Sequence, residues 1–409
     1  MNLGRNTYKI VVQFPAGGQE FSRWPTRFFT VWCRNQNATR EANRHAPYRQ
    51  DCRDLPLTTN ILANLPGREV RIIPSRSGPD LSAAISGPQS LTSGKKHLIL
   101  CKNRGRFLKP CPATKEYRCC DYQVLNVGMN CPMDCVYCIL QAYLNNPWLS
   151  FFVNTDDLLA ELTTTFAEAP QTFRRIGTGE FTDSMALDRI TGLSRILIEF
   201  FRDQPNAVLE LKSKAVALDN LKDCEHGGRT IMAWSLNSTE IMAKEELRTA
   251  TLNQRLAAAA QCAAWGYKLA FHFDPLIYHP GWEKGYQETI DQLFATVPAA
   301  SIVWISMGAL RFLPALKGIA TGRFPRSRFF HEEFVLGLDN KFRYFRPLRT
   351  EMYRHMAHHL SRHLAPDTCL YFCMESDEIW RDVFGFSPEE RGGLPAMLDL
   401  AARKKCGPS

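Results

Sequence analysis

From Tyr122 onward, short runs rich in β-branched and aromatic residues alternate with longer amphipathic stretches. This alternation constrains the fold more than any other feature of the chain. The strand-like runs are 124–128, 173–178, 207–212, 230–236, 268–275, 301–307 and 369–374. Helical periodicity fills 156–168, 185–201, 238–265, 285–296 and 350–363. A strand followed by a helix and a further strand needs a crossover, and repeated crossovers build a parallel sheet covered by helices. The expected fold is α/β, a partial parallel (β/α)6-type open TIM barrel. Its chemistry belongs at the C-terminal ends of the strands.

A chain of 409 residues can bury an enzyme-sized core or two ordinary domains. With 45% apolar and 22% charged residues it is neither a disordered chain nor a fibre. No run reaches the roughly 18 apolar residues of a membrane span, and residues 1–9 lack the pattern of a secretory signal. A soluble, cytoplasmic monomer is expected. The net charge of +9 is concentrated at the start, where residues 1–95 hold 13 Lys/Arg against 6 Asp/Glu. The rest is near neutral, so nucleic-acid binding needs a local patch. Three regions are expected: a loosely ordered N-terminal extension over 1–95, the barrel over 96–385, and a tail over 386–409. Arginines and turn formers scattered through 34–53 and a Ser/Gly/Pro-rich run at 78–93 mark the extension.

Fourteen cysteines in a long intracellular chain point to metal binding or reactive thiols rather than disulfides. Cys131, Cys135 and Cys138 follow the first strand on one short loop, spaced by three and then two residues. Three converging thiolates can hold three irons of a [4Fe–4S] cube and leave the fourth iron open to a cofactor or substrate. Zinc is the competing metal, but structural zinc usually takes four ligands in two knuckles. Cys101, Cys111, Cys119 and Cys120 could form a second metal site or be ordinary loop thiols.

The spacing of this triplet and its place after the first strand resemble the radical S-adenosylmethionine superfamily. The resemblance implies a [4Fe–4S] cluster that chelates S-adenosylmethionine, generation of a 5′-deoxyadenosyl radical, and an electron donor of the flavodoxin or ferredoxin type. Within that superfamily, residues 95–380 resemble the spore photoproduct lyase family, whose members split a methylene-linked thymine dimer in DNA. The similar elements are Cys138-Ile-Leu-Gln141, Lys214 and Ser235 at a separation of 21, and Tyr278–Tyr286. Ile139 stands where the family has a tyrosine of its hydrogen-transfer chain. The resemblance implies Lys214 and Ser235 as cofactor contacts.

One departure divides the functional question. The family's hydrogen-donating cysteine aligns with Glu180, in Gly177-Thr-Gly179-Glu180-Phe-Thr182-Asp183. A carboxylate has no weak S–H bond to give. Gly-x-Gly-Glu is instead similar to the Gly-Gly-Glu element of other radical enzymes, which binds the ammonium of the cofactor through a charge-assisted hydrogen bond. Gly179, Glu180 and Thr182 are therefore expected at the cofactor. Cys373, at a late strand end, and Tyr137, inside the triplet, are the candidate catalytic residues. Three readings follow: a lyase-like repair enzyme, a radical enzyme acting on another substrate, and a non-catalytic iron–sulfur protein that binds nucleic acid.

Residues 311–349 carry nine Lys/Arg against three acids, interleaved with aromatics. Cations pair with phosphates, and aromatic faces can stack on exposed bases. The runs 329–336 and 340–345, joined across 337–339, are expected to form a hairpin. Arg343-Tyr344 resembles an Arg-Tyr pair in the lyase's DNA-contacting hairpin. Asp183, Arg343, Tyr344 and Arg346 are the expected DNA-binding residues. His272, Asp274 and His279 near the fifth strand either form a polar lining or serve core and structural roles; the sequence leaves both readings open.

Overall fold

The computed structural model describes residues 8–13, 52–74, 90–112 and 116–407. The stretch 34–51 and most of the linker-like run, 78–89, lie outside the described residues. The main sheet contains seven parallel strands: β1 (Gln123–Leu125), β2 (Arg174–Gly177), β3 (Ala207–Ser213), β4 (Thr230–Ser235), β5 (Lys268–Leu276), β6 (Ile302–Ala309) and β7 (Cys369–Phe372). They neighbour one another in chain order and every pair is parallel. A short antiparallel strand, Leu108–Pro110, extends the β1 edge. The sheet curls without closing, as an open half-barrel. Every residue of β4 and β6 is buried, the signature of strands covered on both faces.

The strands fall within a few residues of the runs read from the sequence, and two helical stretches are divided. Gly192, at φ +61°, separates Asp188–Thr191 from Leu193–Arg202. The long run 238–265 becomes Thr239–Glu245 and Leu252–Ala264. Ser238 caps the first and a Thr251/Gln254 capping box starts the second. Between them Glu246–Leu247 forms a short strand that pairs antiparallel with Asp134–Cys135.

A second, five-stranded sheet leads to the cysteine loop. Tyr8–Gln13 lies antiparallel between Glu69–Pro74 and His97–Cys101. His97–Cys101 runs parallel to Leu149–Phe152, which pairs with Gly128–Met129 just before the triplet. At the other end of the chain, helix Leu394–Lys405 buries Leu394, Leu398, Ala401 and Ala402, and its Asp399 pairs with Arg175 of β2 at 2.6 Å. Among the described residues no helix is long and apolar enough to cross a membrane.

The barrel interior contains a closed polar network. Glu210 of β3 is bonded by Tyr122 (2.8 Å), Trp304 (2.9 Å) and His272 (2.9 Å), and His272 also meets Ser306 at 2.7 Å. Burial pushes the Glu210 carboxyl up, but His272 and its hydrogen bond more than offset this and hold it at about 2. A depressed carboxyl contributes stability above its unfolded pKa and loses it as the pH falls through the folded value. Glu210→Gln should therefore cost about 1.5–3 kcal/mol near neutral pH. The difference from the parent should shrink from about pH 4.5 towards pH 2, measured by urea unfolding across that range.

Candidate active site

The cysteine loop is held from three directions. Asn130 takes a left-handed conformation (φ +71°), its side chain bonds the carbonyls of Pro147 and Trp148, and its Oδ1 accepts from the Cys131 amide at 2.9 Å. Asn and Asp tolerate this region better than other non-glycine residues. Asp134, within the triplet, is buried and accepts from Thr92 (2.8 Å), Lys95 (3.1 Å) and Arg323 (2.7 Å). Burial pushes its carboxyl up, and Lys95 and Arg323 outweigh that to hold it below its ordinary value. Gln141 donates to the carbonyls of Cys135 and Val136 at 3.1 and 2.9 Å.

The third support comes from the divided helix. Tyr137 donates to Glu246, and Glu246 pairs with Arg255 at 2.6 Å, with both charged side chains almost fully buried. Arg255 also donates to the carbonyl of Ser235, at the end of β4, at 2.8 Å. One guanidinium thus ties the cysteine loop to the strand ends.

Burial pushes the Cys131 and Cys135 thiols up, Cys135 to about 12. Lys95 beside Cys131 and Lys214 beside Cys135 pull the other way without reversing it. Such thiols ionise when a bound metal supplies the missing positive charge. Among the described residues no three Cys, His, Asp or Glu side chains converge as a single-ion site requires. A cube does not require it, because each thiolate binds a different iron. The donor set and its two flanking lysines fit a [4Fe–4S] cluster.

Across the mouth of the half-barrel lie the ends of β2 to β7. Gly177 is fixed by packing, since a Cβ there would stand 1.6 Å from the Tyr122 hydroxyl. At Gly179 a Cβ would meet Lys212 at 3.1 Å. Glu180 is half-buried near Lys212 and Cys111, and makes no hydrogen bond or ion pair among the described residues. Asp183 is fully engaged: it accepts from Met185 and Ala186 amides, the Ser213 hydroxyl and the Lys214 amide, at 2.7–3.0 Å. Its carboxylate clamps the β2 loop to the end of β3 and has little capacity left for DNA. The Lys214 ammonium stands 5.6 Å over the Tyr137 ring. Ser235 is 6% exposed and its hydroxyl has no partner among the described residues, and Thr182 is half-buried.

The later expectations separate. Asp274 does line the mouth, in a bidentate pair with Arg311 at 3.1 Å, and Arg311 also reaches Cys373 Sγ at 3.4 Å. His272 lies one layer deeper, in the Glu210 network. His279 is buried against Ser238 at 2.8 Å, away from the lining. The hairpin forms, shorter than expected, from Val335–Leu336 and Phe342–Arg343, and Phe329–His331 is a 3-10 turn. Arg343 and Tyr344, expected on a DNA surface, are buried. Arg343 pairs with Asp339 at 2.6 Å and stacks on Tyr117, while the Tyr344 hydroxyl accepts from the Tyr278 amide at 3.1 Å. Arg346 is exposed and pairs with Asp382. Sequence reasoning missed Lys212, Arg255 and the Asp134 brace. A lone acid inside the triplet was the one available signal.

A family model described as spore photoproduct lyase matches residues 114–368. The spore photoproduct lyase of Geobacillus sp. (strain Y412MC61) is 29% identical over 205 residues, covering 49% of this chain and 60% of that protein. That of Bacillus subtilis (strain 168) is 30% identical over 169 residues, covering 41% and 49%. The chain thus spans about half to three fifths of these relatives' length. A solved spore photoproduct lyase mutant with dinucleoside spore photoproduct superposes with a TM-score of 0.67 at 22% identity, over 78% of this chain and 96% of that one. Another, with bound AdoMet and the same dinucleoside, gives 0.66 at 22% identity, over 78% of this chain and 95% of that one. At that identity these structures carry the fold.

Replacing Cys131, Cys135 or Cys138 by Ala should abolish the broad visible absorption after anaerobic reconstitution with iron and sulfide. Replacing Cys101, Cys111 or Cys120 should leave it intact. Loss of half the iron from the second group would instead reveal a second cluster.

Proposed function

This chain belongs to the spore photoproduct lyase family, and from that premise we propose that it is a radical S-adenosylmethionine enzyme that repairs a methylene-linked thymine photoproduct in DNA. The observation that carries the reading is the braced three-cysteine loop at the mouth of an open parallel half-barrel, inside the matched region. Cys131, Cys135 and Cys138 would hold the [4Fe–4S] cluster. Glu180, uncommitted to any group among the described residues, would take the cofactor's ammonium, with Gly179 and Thr182 beside it. Lys214 contributes a cation and Ser235 a hydroxyl on the neighbouring strand ends. When bound, the cluster and cofactor supply a carbon radical that abstracts hydrogen from the substrate, chemistry that belongs to the cofactor. The chain's task is to orient both partners and exclude water. A low-potential flavodoxin or ferredoxin is the proposed electron source.

For DNA, the structure redirects attention from Arg343 and Tyr344 to their neighbours. Leu336 and Leu338 are 57% and 76% exposed at the hairpin tip, and Phe345 is 62% exposed at its base. Lys317, Arg326 and Arg328 are exposed on the adjoining segment. An apolar tip flanked by cations suits a wedge that parts a stack while phosphates are held alongside. A second reading, in which the enzyme acts on another substrate, is favoured by one observation: Glu180 occupies the place of the family's donor thiol.

Anaerobic incubation with a photoproduct deuterated at the abstracted position should place the label in 5′-deoxyadenosine, read by mass spectrometry. Absence of label with a fully reconstituted cluster would sink the repair reading. Glu180→Gln should weaken S-adenosylmethionine binding roughly ten- to a hundred-fold, the loss of one charge-assisted hydrogen bond of about 1.5–3 kcal/mol. The cluster spectrum should not change. Repair gained only in Glu180→Cys would favour the second reading for the parent.

A further inference from the structure

A substrate-derived carbon radical must be quenched by a hydrogen atom, and Glu180 cannot give one. Among protein side chains the thiol S–H is the suitable source, so the question is which thiol faces the mouth with its hydrogen kept and aimed. Cys373 follows β7, two residues beyond Tyr371, and its amide bonds the Met307 carbonyl of β6 at 2.9 Å. Its sulfur accepts from Arg311 at 3.4 Å, and the Asp274 carboxylate lies beside it. Arg311 and Asp274 are themselves locked in a bidentate pair, so the guanidinium that holds the sulfur is fixed and the carboxylate beside it is the acceptor nearest the S–H. Gly308 makes this arrangement fit: a Cβ there would come within 2.7 Å of the Asp274 carboxylate and 2.8 Å of Arg311.

The mouth around this thiol is suited to a ligand. Cys373, Asp274, Arg311, Lys212 and Glu180 are all half-buried, so they line a space rather than fill a core. Ser235 faces the same interior from β4, in register with the inward-facing His272; it is 6% exposed and its hydroxyl has no partner among the described residues.

We propose that Cys373, oriented by Asp274 and Arg311, is the hydrogen-atom donor that quenches the product radical; this rests on the radical-repair reading above. One S–H bond breaks and one C–H bond forms, leaving closed-shell thymine and a thiyl radical on Cys373. The thiyl returns to the thiol by one electron from the low-potential donor that serves the cluster and one proton from solvent. Burial and the neighbouring Asp274 push the Cys373 thiol well up, so it retains the hydrogen it has to give. Cys111 lies nearby, but no side-chain hydrogen bond orients it among the described residues. The Cys119 sulfur accepts from the Asp121 amide at 3.3 Å, next to Cys120 in the chain. Asp274 and Arg311 are positioning residues.

Thiol hydrogens exchange with solvent and carbon-bound hydrogens do not. Reconstituted full-length protein pre-equilibrated in D2O should therefore place one deuterium in the repaired thymine. Cys373→Ala and Cys373→Ser should both lose that deuterium and the clean product while still releasing 5′-deoxyadenosine. Cys111→Ala should retain both. Infrared spectra of the metal-free protein give a readout independent of turnover. The parent-minus-Cys373→Ala difference spectrum should contain one hydrogen-bonded S–H component, separate from that of Cys224, which donates to the Asn220 carbonyl at 3.1 Å, and this component should shift to higher frequency in Asp274→Asn. Deuterium retained in both Cys373 variants, or lost in Cys111→Ala, overturns the donor role alone. So does a difference spectrum with no such component. A parent that releases no 5′-deoxyadenosine over the photoproduct overturns the repair reading, and the donor role with it.

Discussion

The Asp134 carboxylate is the contact on which the rest of the site depends. It is buried inside the cysteine loop and takes hydrogen bonds from Thr92, Lys95 and Arg323. Those partners come from the N-terminal part of the chain and from the segment that precedes the hairpin. A buried carboxylate is costly unless its charge is matched and its lone pairs filled, so the loop reaches its conformation only when both distant segments are docked. Removing Lys95 and Arg323 together would leave a buried charge uncompensated, the most expensive way to disturb such a network. The Tyr137–Glu246–Arg255 chain applies the same logic from the opposite side and connects the loop to Ser235.

The half-barrel is layered along its inward-facing positions. Glu210 and His272 form a closed polar layer, and two residues further on Lys212 and Asp274 open onto the mouth. A strand's side chains alternate with period two, so each strand contributes one residue to the sealed layer and the next inward residue to the open one. Tyr371 and Cys373 repeat the pattern on β7. The lower layer satisfies its own polar atoms. The upper layer keeps Glu180 and Ser235 uncommitted, and groups left open in this way are available to a ligand.

The basic segment shows how charge counts mislead. Arg311, Arg323 and Arg349 are partly or wholly buried and paired with acids drawn from across the fold, and buried Arg343 pairs with Asp339 of its own segment. Guanidinium groups suit such internal pairing because their planar fork matches a carboxylate. The partners Asp134, Asp274 and Glu375 lie outside the segment, so its nine-to-three excess did not describe a surface.

Local chemistry settled in the sequence whatever depends on neighbouring residues. Strand and helix periods predicted seven strands to within a few residues, because burial on both faces imposes hydrophobic runs of characteristic length. The cysteine triplet was legible because its ligands share one loop. The breaks at Gly192 and at Glu246–Leu247 were not, since a glycine in an amphipathic run does not announce a left-handed turn and a two-residue strand has no period. Tertiary structure alone decided which charges are spent and which are free. It placed Asp183 in a clamp, buried Arg343 and Tyr344, and set Cys373 beside the Asp274–Arg311 pair. Those outcomes depend on partners far away in sequence, and the cost of an unpaired buried charge is what selects them.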